Sequence, residues 1–367
     1  MLRRSFGSLF AFLIQPQFRC YNRISVYIAF ISLFAIGLLL DRGTRDRLGT
    51  TGGKIGCGAV TLFLLAFGIF DETTPVFAPD YARAKQLFEQ DERFVHSVDA
   101  VVPANSMVFQ LPYMQFPEPP GLNKMGNYDL LRGYLHSEKL RWSYPAMKGE
   151  VADAWQRTVS AMPAADMLQA LAGAGFSGIY LDRFGYADNG LQMEHDLSRV
   201  LDEGPLVANG RLLFFSLEHY ATVLRNGMSD AEWQKYRDRF SPPLVVYDKG
   251  FYQEEVSPGR TWRWCSNQGA IRIFNVSSAP KHVVFEMSVA PGSPEYHLLQ
   301  VTSPLFNKAL QVDRSGVHIR ETVVLPIGGT EMNFSYDAPP IKVVGDPRRM
   351  VFGIENLRLR EIVPSVN

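Results

Sequence analysis

Apolar residues fall into three regimes along the chain. Near the N-terminus they run uninterrupted: ISVYIAFISLFAIGLLL (24–40) is uncharged over 17 positions, and IGCGAVTLFLLAFGIF (55–70) over 16. Such runs predict two bilayer-spanning helices at the short end of the usual length, with Tyr21 and Asn22 at the interface of the first. In the middle, helical and strand periods alternate. Residues 80–98 place Tyr81, Ala84, Leu87, Phe88, Phe94, Val95 and Val98 at helical spacing behind Pro79 and Asp80. SMVFQLP (106–112) predicts a buried strand, 149–161 and 164–174 helices, FSGIYLDRF (176–184) a strand, and 190–203 and 229–239 further helices. PLVA-NG-RLLFFSL predicts a hairpin, with Asn209-Gly210 in the positive-φ positions of a type I′ turn. Past SPPL (241–244), read as a linker, short β-rich segments recur at 261–265, 270–275, 281–289, 296–301, 308–312, 317–326, 331–337, 341–344 and 350–362.

Together these elements predict an α/β plus all-β protein with an N-terminal helical hairpin. Its parts are an interfacial segment at 1–23, two transmembrane helices within 24–70, an α/β domain with a partly parallel sheet at 76–240, and a jelly-roll-like β-sandwich at 241–367. The connection between the two spans carries Arg42, Arg45, Arg47 and Lys54, which places it in the cytoplasm and everything after about residue 71 outside. Residues 1–23 also carry four arginines, and FGSLFAFLIQPQFRCYNRI reads as an interfacial helix and re-entry turn broken at Pro16.

Lysine plus arginine equals aspartate plus glutamate at 37 each, but residues 1–54 hold eight of the bases and two of the acids, so the remainder is mildly acidic. That balance gives nucleic acid no basic surface and excludes it as a partner. Cys20, Cys57 and Cys265 form neither a zinc spacing nor a CxxC pair. No Walker loop, GxSxG, HExxH or GxGxxG occurs, the seven histidines are scattered, and no cofactor or metal is expected. The carboxylate pairs Asp71-Glu72, at the membrane exit, and Glu254-Glu255, in a linker, lack the spacing of an acid/base pair.

In an open α/β sheet, ligands sit at the carboxyl ends of the strands. Two polar clusters fall there. NYDLLRGYLHSEKLRWSY (127–144) supplies Tyr128, Asp129, Arg132, Tyr134, His136, Arg141 and Trp142, with arginines suited to phosphate and aromatic rings suited to sugars. The same stretch is open to a second reading, an aromatic clamp that holds the domain to its neighbours. LDRFGYAD supplies Asp182 and Arg183, either gripping a hydroxyl and a phosphate or, respectively, capping a turn and pairing with an acid. In the C-terminal part, Trp262 and Trp264 flank Arg263 on one face of a strand, as a sugar platform or as core packing under the sheet, and Asn275-Val-Ser277 matches a glycosylation sequon.

Five segments, FGSLFAFLIQPQFRCYNRISVYIAFISLFAIGLLLD, SMVFQLPYMQFPE, YDLLRGYLHSEKLRWSYPAMKG, GFSGIYLDRFGY and DPRRMVFGIENLRL, resemble the C-terminal part of large bacterial multi-span membrane proteins of the GT-C glycosyltransferase type. The resemblance covers nearly the whole chain. It implies a bacterial inner membrane protein with periplasmic α/β and sandwich regions, related to enzymes that transfer sugar from a polyprenyl-phosphate donor to an envelope acceptor. In that class the catalytic acid lies in the first extracytoplasmic loop. This sequence begins around the last spans, so no catalytic residue is carried over and the enzymatic question stays open. The expectation is a membrane-anchored module that binds glycan or lipid-linked sugar, as a fragment or beside a partner holding the catalytic half. The competing expectation is a non-enzymatic envelope scaffold or binding protein. A phosphoglycerol- or sulfatase-type transferase ranks last, because no metal-bound nucleophile cluster is visible.

Overall fold

The computed structural model describes residues 21–45, 49–72, 80–257, 260–341, 343 and 345–362. The expected interfacial segment therefore lies almost wholly outside the described residues. The chain divides into two compact units, 1–84 and 85–367.

In the first unit, helices α1 (Tyr21–Thr44) and α2 (Thr51–Glu72) contain the two apolar runs and extend beyond them. Val26–Gly43 and Thr51–Phe70 are long and apolar enough to cross a membrane, and neither stretch is buried in protein.

The second unit takes up most of helix α3 (Tyr81–Val101) and opens with a five-stranded sheet. Its strands are β1 (Met107–Leu111), β2 (Arg141–Trp142), β3 (Phe176–Asp182), β4 (Val207–Ala208) and β5 (Leu212–Ser216), in the order β2-β1-β3-β5-β4. β1 runs parallel to β2 and β3, while β5 is antiparallel to β3 and β4. The sheet is covered on both sides, so its central strands are apolar on both faces. Phe109, Leu111, Ile179, Leu181, Leu213 and Phe215 face one core. That core is closed by α5 (Val151–Ser160), α6 (Ala164–Ala174) and α7 (Leu191–Leu201). Val108, Tyr180, Leu212 and Phe214 face the other, under Phe94, Val95 and Val98 of α3. Within the 127–144 stretch lies a short helix, α4 (Leu131–His136).

Several boundaries differ from expectation for local reasons. Strand β3 stops at Asp182, whose carboxylate accepts from the Phe184 N–H and turns the chain into a single 3₁₀ turn. The 209–210 turn is not type I′, because neither Asn209 nor Gly210 has positive φ. Instead the Asn209 carboxamide accepts from the Arg211 and Leu212 N–H groups at 2.8 and 2.6 Å, an Asx turn that closes a wider loop. The pattern also missed α8 (Glu218–Arg225), an amphipathic helix of eight residues that precedes α9 (Asp230–Arg239).

The remaining strands form two five-stranded antiparallel sheets. One has the order β13-β10-β15-β8-β7 and the other β12-β11-β14-β9-β6. The strands are β6 (Leu244–Tyr247), β7 (Phe251–Ser257), β8 (Arg260–Cys265), β9 (Gln268–Asn275), β10 (Lys281–Pro291), β11 (His297–Thr302), β12 (Asn307–Val312), β13 (Val317–Leu325), β14 (Gly328–Tyr336) and β15 (Phe352–Glu361). Period-2 alternation sends Val283, Phe285, Met287 and Val289 of β10 inward against Ile271, Ile273, Met332 and Phe334 of the facing sheet. Residues 341 and 343 are not in a strand, and 342 and 344 lie outside the described residues, so the expected strand at 341–344 is not found. Glu254 and Glu255 lie on β7 rather than in a linker.

SPPL is likewise no free linker. Leu244 is fully buried, and with Val246 it packs on Ala154 of α5, joining the α/β part to the sandwich. A second tie is Asp238 of α9. Its carboxylate accepts from the Ser278 N–H at 2.8 Å and from the Ser278 hydroxyl, and its carbonyl accepts from Lys281 Nζ at 2.7 Å. Leu244→Ala is expected to lower stability by about 2–5 kcal/mol, as for other large-to-small core changes. Denaturant unfolding of the detergent-solubilised protein checks this, and the loss should appear in one cooperative transition covering both parts.

Candidate functional site

The fold gathers part of the sequence-predicted cluster into one chain of charges. Arg132, on α4, donates to Asp91 of α3 and to Asp129 at 3.0 Å. Asp129 also accepts from Arg211 Nη2 at 2.6 Å and from the Gly126 N–H at 3.0 Å. Arg211 in turn grips both oxygens of Asp182, a carboxylate with no solvent exposure, and stacks on Phe184 at 4.6 Å. Burial works to raise the Asp129 pKa, but the hydrogen bonds from Arg211, Gly126 and Arg132 outweigh it and hold the carboxyl below its usual range. Burial likewise opposes the Arg211 charge, and its bonds to Asp182 and Asp129 overcome that and raise its pKa.

The other predicted residues sit apart from this chain. Arg183 pairs with Glu194 of α7. Arg141 is exposed, with Nε donating to the Asn105 carbonyl at 2.8 Å. Trp142 packs edge-on to Tyr180 at 5.7 Å, and His136 is buried against Phe88 at 4.4 Å. Tyr128 and Tyr134 are exposed, and the Tyr128 hydroxyl accepts from the Glu118 N–H at 3.3 Å. Gln110 pins the stretch to β1: its Nε2 donates to the Leu130 carbonyl at 2.6 Å, and its Oε1 accepts from the Tyr144 N–H at 3.0 Å.

A second site lies where β1 ends and the sandwich begins. It is a cleft of about 560 Å³ between the loop after Leu111, α5, and strands β6, β7 and β8. Its aromatic lining is Tyr113, Tyr247, Phe251 and Tyr252, and its charged lining is Lys148, Arg157 and Arg263 against Asp153 and Glu254. The buried Asp153 accepts from the Tyr113 hydroxyl at 2.6 Å and from the Gly149 N–H at 3.1 Å. Burial, then the bond to Asp153, pushes the Tyr113 phenol well above its usual value, so it remains a donor. Glu254 and Arg263 are cross-strand partners on β7 and β8. Glu254 receives Arg263 Nη2 and Arg157 Nη1, each at 3.3 Å. Arg263 lies over the Tyr247 ring at 4.5 Å and donates to the Tyr252 carbonyl at 3.2 Å, while its buried Nε has no partner among the described residues. Burial lowers the Arg263 pKa and raises that of Tyr247 to about 12.

Aromatic rings beside cations and carboxylates match the chemistry of a polyhydroxylated ring, which offers an apolar C–H face and a rim of hydroxyls. The sequence singled out neither this cleft nor Asp91 and Arg211. The one available signal was the period-2 placement of Glu254 and Arg263, which becomes informative only once β7 is recognised as a strand.

Trp262 and Trp264 do share a face, but not the core. Cys265 is the β8 side chain that enters the core, so the two-residue period turns both tryptophans to the outer face, half-buried. Asn275 of the sequon is buried, with Nδ2 donating to the Ala279 and Leu325 carbonyls at 2.8 and 3.2 Å, so its amide is closed to glycosylation. Among the described residues, no group of three or more His, Cys, Asp or Glu side chains is placed to hold a metal ion.

No family model and no curated protein matches the sequence. Solved structures similar to about a third of the chain include the C-terminal CBM6 of LamC, a marine laminarinase from Zobellia galactanivorans (13% identity, 32% of this chain and 99% of that one, TM-score 0.21). Others are a β-1,3-glucan-binding CBM6 from Bacillus halodurans (11% identity, 32% and 95%, TM-score 0.21) and the N-terminal cellulose-binding domain of β-1,4-glucanase C from Cellulomonas fimi (7% identity, 32% and 89%, TM-score 0.22). At these TM-scores the similarity carries no statement about a shared ligand.

The charge chain has a pH signature. The folded-state pKa of Asp129 is depressed, so its contribution to stability is present above the unfolded value of about 3.9 and is lost as pH falls through the folded one. Unfolding free energy measured between pH 6 and pH 2.5 is expected to drop below about pH 4, and Arg211→Met, which removes the strongest bond to Asp129, should flatten that part of the drop.

Proposed function

We propose that the protein is a membrane-anchored, extracytoplasmic glycan-binding module of the bacterial envelope, related to the C-terminal part of GT-C glycosyltransferases. The observation that carries glycan binding is the cleft at the α/β–sandwich junction. Tyr113, Tyr247, Phe251 and Tyr252 line it with aromatic rings, while Arg157, Arg263 and Glu254 place charged donors and an acceptor beside them. Three cations against two carboxylates leave the lining slightly positive, which suits neutral or acidic envelope sugars and the phosphate of a lipid-linked sugar. Anchoring rests on α1 and α2, each carrying an apolar stretch of spanning length. In this reading α1 and α2 cross the inner membrane, and the residues after about 71 work on its periplasmic side. The relation to glycosyltransferases rests on the sequence resemblance.

The test is titration of envelope oligosaccharides into the detergent-solubilised full chain. Binding is expected for the wild type, and Arg263→Met should weaken it about 10- to 100-fold, the range for losing a charge-assisted hydrogen bond, with Trp142→Phe as a folded control of unchanged affinity. Equal affinity in Arg263→Met and wild type contradicts the assignment of the cleft.

A further inference from the structure

We propose that the junction cleft takes an acidic sugar, whose carboxylate or phosphate group binds Arg157 and Arg263 in the place that Glu254 holds. This deepens, and rests on, the reading that the cleft binds glycan. The cleft is short of negative charge: Lys148, Arg157 and Arg263 line it against Asp153 and Glu254. Asp153 is already committed, with one oxygen on the Tyr113 hydroxyl and the other on the Gly149 N–H. Glu254 is left to answer two guanidinium groups, and it lies 3.3 Å from each. Charge-assisted bonds of this type usually close to about 2.7–2.9 Å. The charge chain built on the neighbouring sheet shows the contrast. There Arg132 and Arg211 share three carboxylates, Asp91, Asp129 and Asp182, and Arg211 approaches two of them to 2.6 Å. Among the described residues, the Arg157 side chain uses one of its five N–H donors, and the buried Nε of Arg263 has no partner. Burial pushes the Arg263 pKa down despite Glu254, whereas its carboxylate partners raise that of Arg211.

Glu254 is the member of this group that can give way. It lies on β7, an edge strand, and the register of β7 on β8 shifts between Phe251 and Glu254. Irregularities of this kind at sheet edges re-aim side chains. The Glu254 side chain is 35% exposed, so it can turn into water and keep its charge solvated. Arg263 is held in place instead, over the Tyr247 ring at 4.5 Å and on the Tyr252 carbonyl at 3.2 Å. An incoming anion thus meets one fixed cation, a second that is partly exposed, and a carboxylate it can displace. The aromatic lining remains for the sugar ring.

The test is calorimetric titration of the detergent-solubilised full chain with envelope oligosaccharides in four forms: untreated, carboxyl-reduced, dephosphorylated with cold aqueous hydrofluoric acid, and treated both ways. The untreated form should bind at least tenfold more tightly than the doubly treated one, and Arg157→Met should remove most of that difference. Loss on carboxyl reduction identifies a uronate, and loss on dephosphorylation identifies a phosphate. Glu254→Gln should tighten binding of the untreated form about threefold or more, because it removes the competing carboxylate. Equal affinity of the untreated and doubly treated forms overturns the acidic ligand and leaves glycan binding intact. Absence of binding by every form overturns the glycan reading itself. Weaker binding of the untreated form by Glu254→Gln overturns the displacement and makes Glu254 an acceptor for sugar hydroxyls.

Discussion

The Asp182 carboxylate at the end of β3 has no access to water, so its oxygens must find hydrogen-bond partners within the protein. Arg211 answers it with three contacts of 2.6–3.0 Å. Because one guanidinium holds five N–H donors in a fixed plane, Arg211 also reaches Asp129. Asp129 then holds Arg132, and Arg132 holds Asp91. One buried charge thereby fixes four segments: the β3 terminus, the 209–211 loop, the 126–132 turn and helix α3. Removing one partner would strand the others, which is why such chains hold geometry well even where their net contribution to stability is modest.

The cleft depends on that same arrangement, one step removed. Loops leaving the carboxyl ends of β1 and β3 must pass over the sheet edge together. Gln110 and the charge chain hold the 127–144 stretch down on one side of the sheet. The chain after Leu111 is left to carry Tyr113 toward Asp153 on α5. The sandwich supplies the opposite wall because Leu244 and Val246 bury against Ala154, bringing Tyr247, Glu254 and Arg263 to the rim. Burial at the junction is thus the reason an aromatic and charged surface faces another across a gap instead of facing solvent.

Much of the architecture was legible in the sequence. The apolar runs gave both N-terminal helices, 3.6-residue spacing located α3, α5, α6, α7 and α9, and alternation located most of the sandwich. Errors arose where side-chain chemistry overrode pattern. Asn209 closes its turn with its carboxamide, not with positive φ. β7 alternates weakly because it is an edge strand with half-exposed faces, so Glu254 passed for linker. For the site, local spacing suggested Asp129, Arg132 and Asp182, which do meet, and Arg183, Arg141 and Tyr134, which do not join them. Asp91 lies 41 residues from its partner Arg132 and Arg211 lies 82 from its partner Asp129, so both were invisible and join the cluster only through the tertiary fold.

The Asp182–Arg211 pair seats the 127–144 stretch on the sheet. Amide hydrogen exchange at Leu131, Arg132, Arg141 and Ser143, whose N–H groups are all bonded in the fold, measures this most directly. Exchange at these amides is expected to be slow in the wild type and to lose protection selectively in Arg211→Met, with the β10 amides of the sandwich unchanged. Protection at residues 131–143 that survives Arg211→Met would contradict it.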